Sequence, residues 1–354
     1  MKIVQRKFYS NLDKSTLTLL RLNNKPVVAV VGDGSWATAI IKILTEQDIK
    51  IRWWVRKKDR ARYIKIYGYN PNYLQSVHLT KSKIKPSSRL TRVIGDAETV
   101  ILAVPAAFIK DALMDLPLDA FEGKTLVSAI KGMIPEDHNL VTDLLMNRFK
   151  VPKEKITIIA GPCHAEEVGM ERQSYLTIGG FDLTVADKVA DLLRCRYVKV
   201  EVNEDLYGVE YSAVMKNIIA MACGIAHGLK LGDNFQAVLV SNAMQEIRAF
   251  LEAIHPLERD LFQSVYVGDL LVTAYSQFSR NRMFGNMIGQ GYTVKSATVE
   301  MNMIAEGYYA VDSIMALMNK KSLDNMPITS AVYNILYKKA NPFNEFKVLM
   351  DIFS

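Results

Sequence analysis

Lys216 stands in a stretch, Val209 to Gly224, whose residues three and four positions away on a helix are Ser212, Ala213, Ile219 and Ala220. A lysine on a face of small and apolar residues is drawn out of water, which disfavours its charged form and lowers its pKa towards the range where it can give and take a proton. The plainer alternative is a lysine that snorkels from a helix edge to solvent. A second constellation is Gly268-Asp269-Leu270, followed by Ser279-Arg280-Asn281-Arg282. Asp269 follows a glycine where a helix can start, so capping is its ordinary role. Opposite a buried lysine, its carboxylate would instead orient and tune that group. Arg280 offers a planar fork suited to a phosphate, with Ser279 and Asn281 as neutral donors beside it.

A third group lies near the start. Val27 to Val31 is an apolar, β-branched run that breaks into Gly32-Asp33-Gly34-Ser35-Trp36-Ala37, a Gly-x-Gly-x-x-Ala turn ahead of an Ala-rich helix. Glycines at that spacing let backbone amides approach a pyrophosphate, and the helix N-terminus favours its charge. The next strand, Ile49–Val55, closes a βαβ unit and ends in Arg56-Lys57-Lys58, where a carboxylate would normally hold an adenosine ribose. Cations there accept a 2′-phosphate, so NADPH is expected, and NADH as an alternative cofactor; the other reading is ordinary solvated charge.

The elements that must position these groups alternate. Strands are expected at Leu90–Ile94, Thr99–Val104, Lys124–Ile130, Ile156–Ala160, Ser174–Gly180 and Val198–Val202, with helices near Ser35–Glu46, from Pro105 to Met114 and near Leu183–Leu193. Tyr67 to Ser88 reads as irregular. Strands ending in Gly, Pro or a lone cation fit parallel strands whose carboxyl ends line a ligand crevice. From Leu206 onward the pattern is almost wholly helical. The expected fold is α/β: an N-terminal Rossmann dinucleotide-binding domain over 25–203, an all-α C-terminal substrate domain over 204–354, and an N-terminal extension, 1–24, that packs as a short helix or is disordered.

Composition narrows the function. The chain has 354 residues, 49% of them hydrophobic and 23% charged, which is an ordinary globular balance. No uncharged apolar stretch reaches about 18 residues, and the Leu17–Leu22 patch is too short for a secretory segment, so no integral membrane segment and a cytoplasmic location are expected. Cys163, Cys195 and Cys223 form no Cys-x-x-Cys pair, which argues for reduced thiols. The net charge of +7 is spread among acidic residues and suits a small anionic ligand rather than nucleic acid. Cys163-His164-Ala165-Glu166-Glu167 could suggest metal ligands, but adjacent residues seldom point at one ion and no second ligand pair follows, so no metal is expected.

Taken together, the motifs identify a resemblance. Gly32 to Ala39, Ala103-Val104-Pro105, Ile130-Lys131-Gly132, Gly161-Pro162-Cys163-His164-Ala165, Lys216-Asn217, Gly268-Asp269-Leu270, Ser279-Arg280-Asn281 and Ala305-Glu306-Gly307 occur in the order found in bacterial glycerol-3-phosphate dehydrogenases. The resemblance runs from about Pro26 to Tyr337. It implies interconversion of dihydroxyacetone phosphate and sn-glycerol 3-phosphate, supply of glycerol phosphate for phospholipid synthesis, and a homodimer. It also implies that Gly32, Gly34, Ser35, Trp36, Arg56, Lys131, Ala165, Arg280, Ile304 and Glu306 contact the cofactor. Lys131, Gly161, Cys163, Lys216, Asp269, Ser279, Arg280 and Asn281 would contact the substrate, with Lys216 the catalytic proton donor and acceptor and His164 beside the nicotinamide pocket. Three departures stand out: Asp33 places negative charge in the phosphate turn, Ala37 replaces a third glycine, and Cys163 stands where Ser or Thr is usual. Two rivals remain at this point, a reductase of phosphate-free 2-hydroxy acids on the same fold and a nucleotide-sensing protein without catalysis.

Overall fold

Continuous β-branched and aliphatic runs make the centre of one sheet. β1 (Val27–Val31), β4 (Thr99–Leu102), β5 (Thr125–Ser128) and β6 (Ile156–Ala160) are buried along nearly all their length, as strands covered on both faces must be. The structure, a computed structural model, describes residues 25–301, 305–323 and 325–353. The extension at 1–24 and Ile304 therefore lie outside the described residues.

Among these residues the sheet has eight strands, in the order β3-β2-β1-β4-β5-β6-β7-β8. Here β2 is Lys50–Trp54, β3 Ile84–Ser87, β7 Ser174–Gly180 and β8 Val198–Asn203. The helices α1 (Ser35–Leu44), α2 (Lys58–Tyr67), α3 (Leu90–Ile94), α4 (Ile109–Leu113), α5 (Val141–Phe149), α6 (Ala165–Gly169) and α7 (Leu183–Leu193) connect them, and two apolar clusters fill the two faces. The expected α/β Rossmann architecture is what forms.

Two local expectations fail. Leu90–Ile94 is α3, not a strand, because its apolar residues Leu90, Val93 and Ile94 fall at helical spacing between Arg89, Thr91 and Arg92. Within the stretch read as irregular, Ile84–Ser87 pairs with β2 as an edge strand, the position where Pro86 costs least.

A third correction concerns strand direction and decides where the site can form. β7 runs antiparallel to β6, and β8 runs with β7, so their carboxyl ends lie on the edge opposite those of β1 to β6. Asn203 therefore ends at the back of the sheet. From there α8 (Leu206–Gly228) starts, and it packs against β6 and β7 on its way back. Ten residues of helix rise about 15 Å, roughly the length of a five-residue strand, so Lys216 arrives at the front edge.

α8 is also the axis of the helical half. α9 (Gly232–Ile254), a π-type turn at Ser264–Gly268, α10 (Asp269–Tyr275), α11 (Arg280–Gly289), α12 (Val294–Met301), α13 (Glu306–Lys321), α14 (Pro327–Tyr337) and α15 (Pro342–Ile352) complete it, most of them packed on α8 or on its neighbours. By length and composition α8 could cross a membrane, but it carries Glu210 and Lys216 and is buried within the protein, so it serves as the core helix of this half.

Candidate active site

The glycine turn is built for close approach. Gly32 has φ +130°, and a Cβ there would lie 2.3 Å from the Ala103 carbonyl oxygen, so only glycine lets β1 turn beside β4. Trp53 Nε1 donates to the Gly32 carbonyl at 2.6 Å, and Asn70 Nδ2 donates to the Asp33 carbonyl at 3.0 Å and to Thr38 Oγ1 at 2.8 Å. The space beyond the Gly34 Cα is open, and no side chain caps α1, which leaves its first amides for a ligand. Trp36 Nε1, buried, also has no partner among the described residues. Free donors at a helix N-terminus over an open glycine fit a dinucleotide pyrophosphate. Asp33 does not stand bare in this turn, because Arg60 Nη1 meets its carboxylate at 2.6 Å.

The second part of the site is a buried carboxylate held by two ammonium groups. Asp269, 1% exposed, begins α10 and accepts from Lys216 Nζ through Oδ1. Its Oδ2 accepts from Lys131 Nζ at 3.3 Å and from the Gly161 amide at 3.2 Å. Burial works to raise the Asp269 pKa, but the two lysines overcome it and hold the group below the usual carboxylate range. Burial pulls Lys216 down to about 7, helped by Lys131 and opposed by Asp269. A charged cluster this dry persists because both carboxylate oxygens of Asp269 are met by donors.

The cavity in front of Lys216 holds about 410 Å³ and runs to the glycine turn. Ser279, Arg280 and Asn281, at the start of α11, are among its lining residues, and Ser279 Oγ accepts from the Arg282 amide as the helix cap. Asn281 Oδ1 accepts from the Gly307 amide at 3.0 Å, which turns its Nδ2 donors elsewhere. Glu306 is raised to about 7 by burial, against the Ala106 amide that donates to it at 3.3 Å and the charge of Arg280.

Of the residues expected in the site, Gly34, Ser35, Trp36, Lys131, Cys163, Ala165, Lys216, Ser279, Arg280, Asn281 and Glu306 line this cavity. Gly32 and Gly161 stand behind it as backbone supports, and Gly161 at φ +110° also accepts from Lys131 Nζ at 3.3 Å. Asp269 is not among the lining residues, but both lysines that it holds are. Arg56 is exposed past the end of β2, outside the cavity. His164 also lines the cavity, and burial and then Lys216 lower its pKa. In the sequence, Asn217 stands out only within the Lys216-Asn217 motif, and Tyr73, Thr273 and Arg60 carry no assigned role. Asn217 Nδ2 donates to the Lys131 carbonyl at 2.7 Å and Thr273 Oγ1 to the Asp269 carbonyl at 2.6 Å. Only Asn217, beside Lys216 in the sequence, offered a signal. Among the described residues, no group of three or more His, Cys, Asp and Glu is placed to hold a metal ion.

Comparison with known proteins gives a consistent picture. Residues 27–186 match the family described as NAD-dependent glycerol-3-phosphate dehydrogenase N-terminus, and residues 205–347 match its C-terminus. Glycerol-3-phosphate dehydrogenase [NAD(P)+] of an Exiguobacterium species is 34% identical over 91% of this chain and 94% of that protein. The Staphylococcus carnosus protein of the same name is 33% identical over 91% of this chain and 97% of its own. The crystal structure of glycerol-3-phosphate dehydrogenase from Coxiella burnetii superposes with a TM-score of 0.86 at 25% identity, covering 92% of this chain and 99% of that one.

Proposed function

The chain belongs to the NAD-dependent glycerol-3-phosphate dehydrogenase family, and from that premise we propose that Lys216 is its proton donor and acceptor and that Asp269 positions it. The reaction is the interconversion of dihydroxyacetone phosphate and sn-glycerol 3-phosphate with NADH or NADPH. The observation that carries the proposal is a desolvated lysine, held by a buried carboxylate, facing a cavity that the uncapped start of α1 and Arg280 also line.

The first amides of α1 and Trp36 Nε1 would hold the pyrophosphate of a nicotinamide dinucleotide, and Arg56, Ala165 and Glu306 would also contact that cofactor. A nicotinamide cofactor bound there would supply or accept the hydride. Arg280 and the free amide of Asn281 bind the substrate phosphate, and this remote binding orients the carbonyl. As negative charge develops on the carbonyl oxygen, protonated Lys216 neutralises it and delivers its proton, while Asp269 stays charged and holds Nζ in place. Lys131 shares Asp269 with Lys216 and adds positive charge at the same point.

The same proposal places the cofactor with residues 25–203 and the substrate with 204–354. It extends to a homodimer in the cytoplasm that supplies glycerol phosphate for phospholipid synthesis.

Cofactor oxidation followed optically tests the assignment. Dihydroxyacetone phosphate should drive oxidation of NADPH or NADH, and a phosphate-free 2-oxo acid should not; faster turnover of the latter would overturn the substrate. Lys216→Ala should lose about 10²- to 10⁴-fold in kcat while cofactor binding persists. A wild type that binds cofactor and never turns over would favour a sensing protein. Because reduction needs the protonated lysine, its kcat should fall as pH rises through about 7, and oxidation should rise over the same range.

A further inference from the structure

Asp205, the residue before α8, is 4% exposed and gathers four donors. Oδ1 accepts from the Gly208 amide at 3.0 Å and from Arg259 Nη2 at 3.2 Å. Oδ2 accepts from Arg259 Nε at 2.5 Å and from Tyr266 Oη at 2.9 Å. The first bond is the ordinary helix cap. The others reach across 54 and 61 residues of chain, far more than a cap requires. A Cβ at Gly208 would lie 1.8 Å from Asp205 Oδ2 and 2.7 Å from Arg259 Nε, so glycine is what lets the carboxylate and guanidinium sit against the helix. Arg259 is itself anchored, donating to the His255 carbonyl at 2.6 Å and the Leu257 carbonyl at 3.2 Å.

Tyr266, 4% exposed, lies within the π-type turn Ser264–Gly268, which Asp269 directly follows. Such turns are rare and frequently lie at functional sites. Asp205 thus anchors both the base of the helix that carries Lys216 and the turn that presents Asp269. We infer that Tyr266, acting through Asp205 and Arg259, is a positioning residue for Asp269 and hence for proton transfer at Lys216. The inference rests on the reading of Lys216 as proton carrier. Tyr266 does not line the cavity; its effect is on the aim of the carboxylate.

The groups that act on Lys216, or on which it acts, are Asp269 from α10, Lys131 from the segment after β5, and Cys163 and His164 after β6. Asp269 alone among them is anionic. If its turn relaxes, Lys216 faces Lys131 with less compensation and holds its proton less firmly.

Tyr266→Phe removes one hydroxyl and leaves the ring to pack. The kcat for dihydroxyacetone phosphate reduction should fall by roughly ten- to a hundred-fold, with cofactor KM unchanged. The alkaline limb of its kcat profile should move to lower pH by about half a unit or more. Arg259→Lys, which keeps the charge but not the fork, should move the limb the same way. Wild-type kcat and an unmoved limb in Tyr266→Phe, even with a lowered melting temperature, would overturn the inference and leave the cluster purely structural. If the limb instead persists in the residual activity of Lys216→Ala, the reading of Lys216 fails and the inference falls with it.

Discussion

Asp33 looks misplaced at the level of the single residue, a carboxylate inside the glycine turn proposed to hold phosphates. Arg60, 27 positions later, pairs with it at 2.6 Å and lies 5.7 Å from the centre of the Tyr73 ring, while Tyr73 lines the cavity. The pair presents little net charge to a pyrophosphate, so the departure is compensated rather than tolerated. Arg60→Ala should therefore raise cofactor KM by about ten-fold, equivalent to about 1.4 kcal/mol, by exposing the carboxylate. Asp33→Ala should do less, and the double variant should recover most of the loss; equal effects of both single variants would show that Arg60 works on its own. Cys163 is a milder departure. Burial pushes its thiol up to about 12 despite Lys131, so it stays a neutral group, as Ser or Thr would.

Among elements, the contact between α8 and α11 sets the width of the site. Gly224 and Gly228 on α8 face Gly285 and Gly289 on α11, and the backbones touch. A Cβ on Gly285 would lie 2.1 Å from the Met221 carbonyl oxygen, and one on Gly224 2.1 Å from the Arg282 carbonyl oxygen. Lys216 rides on one helix, while Arg280 and Asn281 begin the other. The four glycines thus hold Lys216 and the start of α11, with Arg280 and Asn281, at one separation. Gly285→Ala must push the helices apart, at a cost of about 1–3 kcal/mol. The expected result is a lower melting temperature together with a raised KM for dihydroxyacetone phosphate and little change in cofactor KM. An unchanged substrate KM would show that the contact serves stability alone.

At the scale of the molecule, buried carboxyl groups tie distant segments together. Glu210 of α8 accepts from Thr142 Oγ1 at 2.6 Å at the start of α5, and Glu246 of α9 accepts from the amides of Ile328 and Thr329 at the start of α14. Glu306 joins α13 to the Ala106 amide. Burial raises Glu210 to about 8 and Glu246 and Glu306 to about 7, against 4.5 as the ordinary value. The folded state therefore binds protons that the unfolded chain releases, and the stability these groups contribute is fully present below about pH 4.5 and lost as pH rises through about 7 to 8. Melting temperature should decline between about pH 5 and pH 8, and Glu246→Gln, far from the cavity, should flatten that decline. A slope unchanged by Glu246→Gln would assign the pH dependence to other groups.

The chain's local code was enough for the glycine turn, the βα alternation, the helical second half and the lysine on an apolar helix face, because each is written in spacing over a few residues. It was enough, too, for Asp269 and Arg280 as candidates, since glycine before a carboxylate and a Ser-Arg-Asn run are visible in order. Leu90–Ile94 and Ile84–Ser87 were misread because short segments carry too few periods to separate helix, strand and loop. What no local pattern contains is direction and distance. The reversal at β7, which starts α8 at the back of the sheet and brings Lys216 to its front, depends on pairing with β6. The meeting of Lys216 with Asp269 across 53 residues, of Asp33 with Arg60 and of Asp205 with Tyr266 depends on how packed elements close on one another. Tertiary structure decided these because a buried charge persists only where a partner from elsewhere in the chain arrives to meet it.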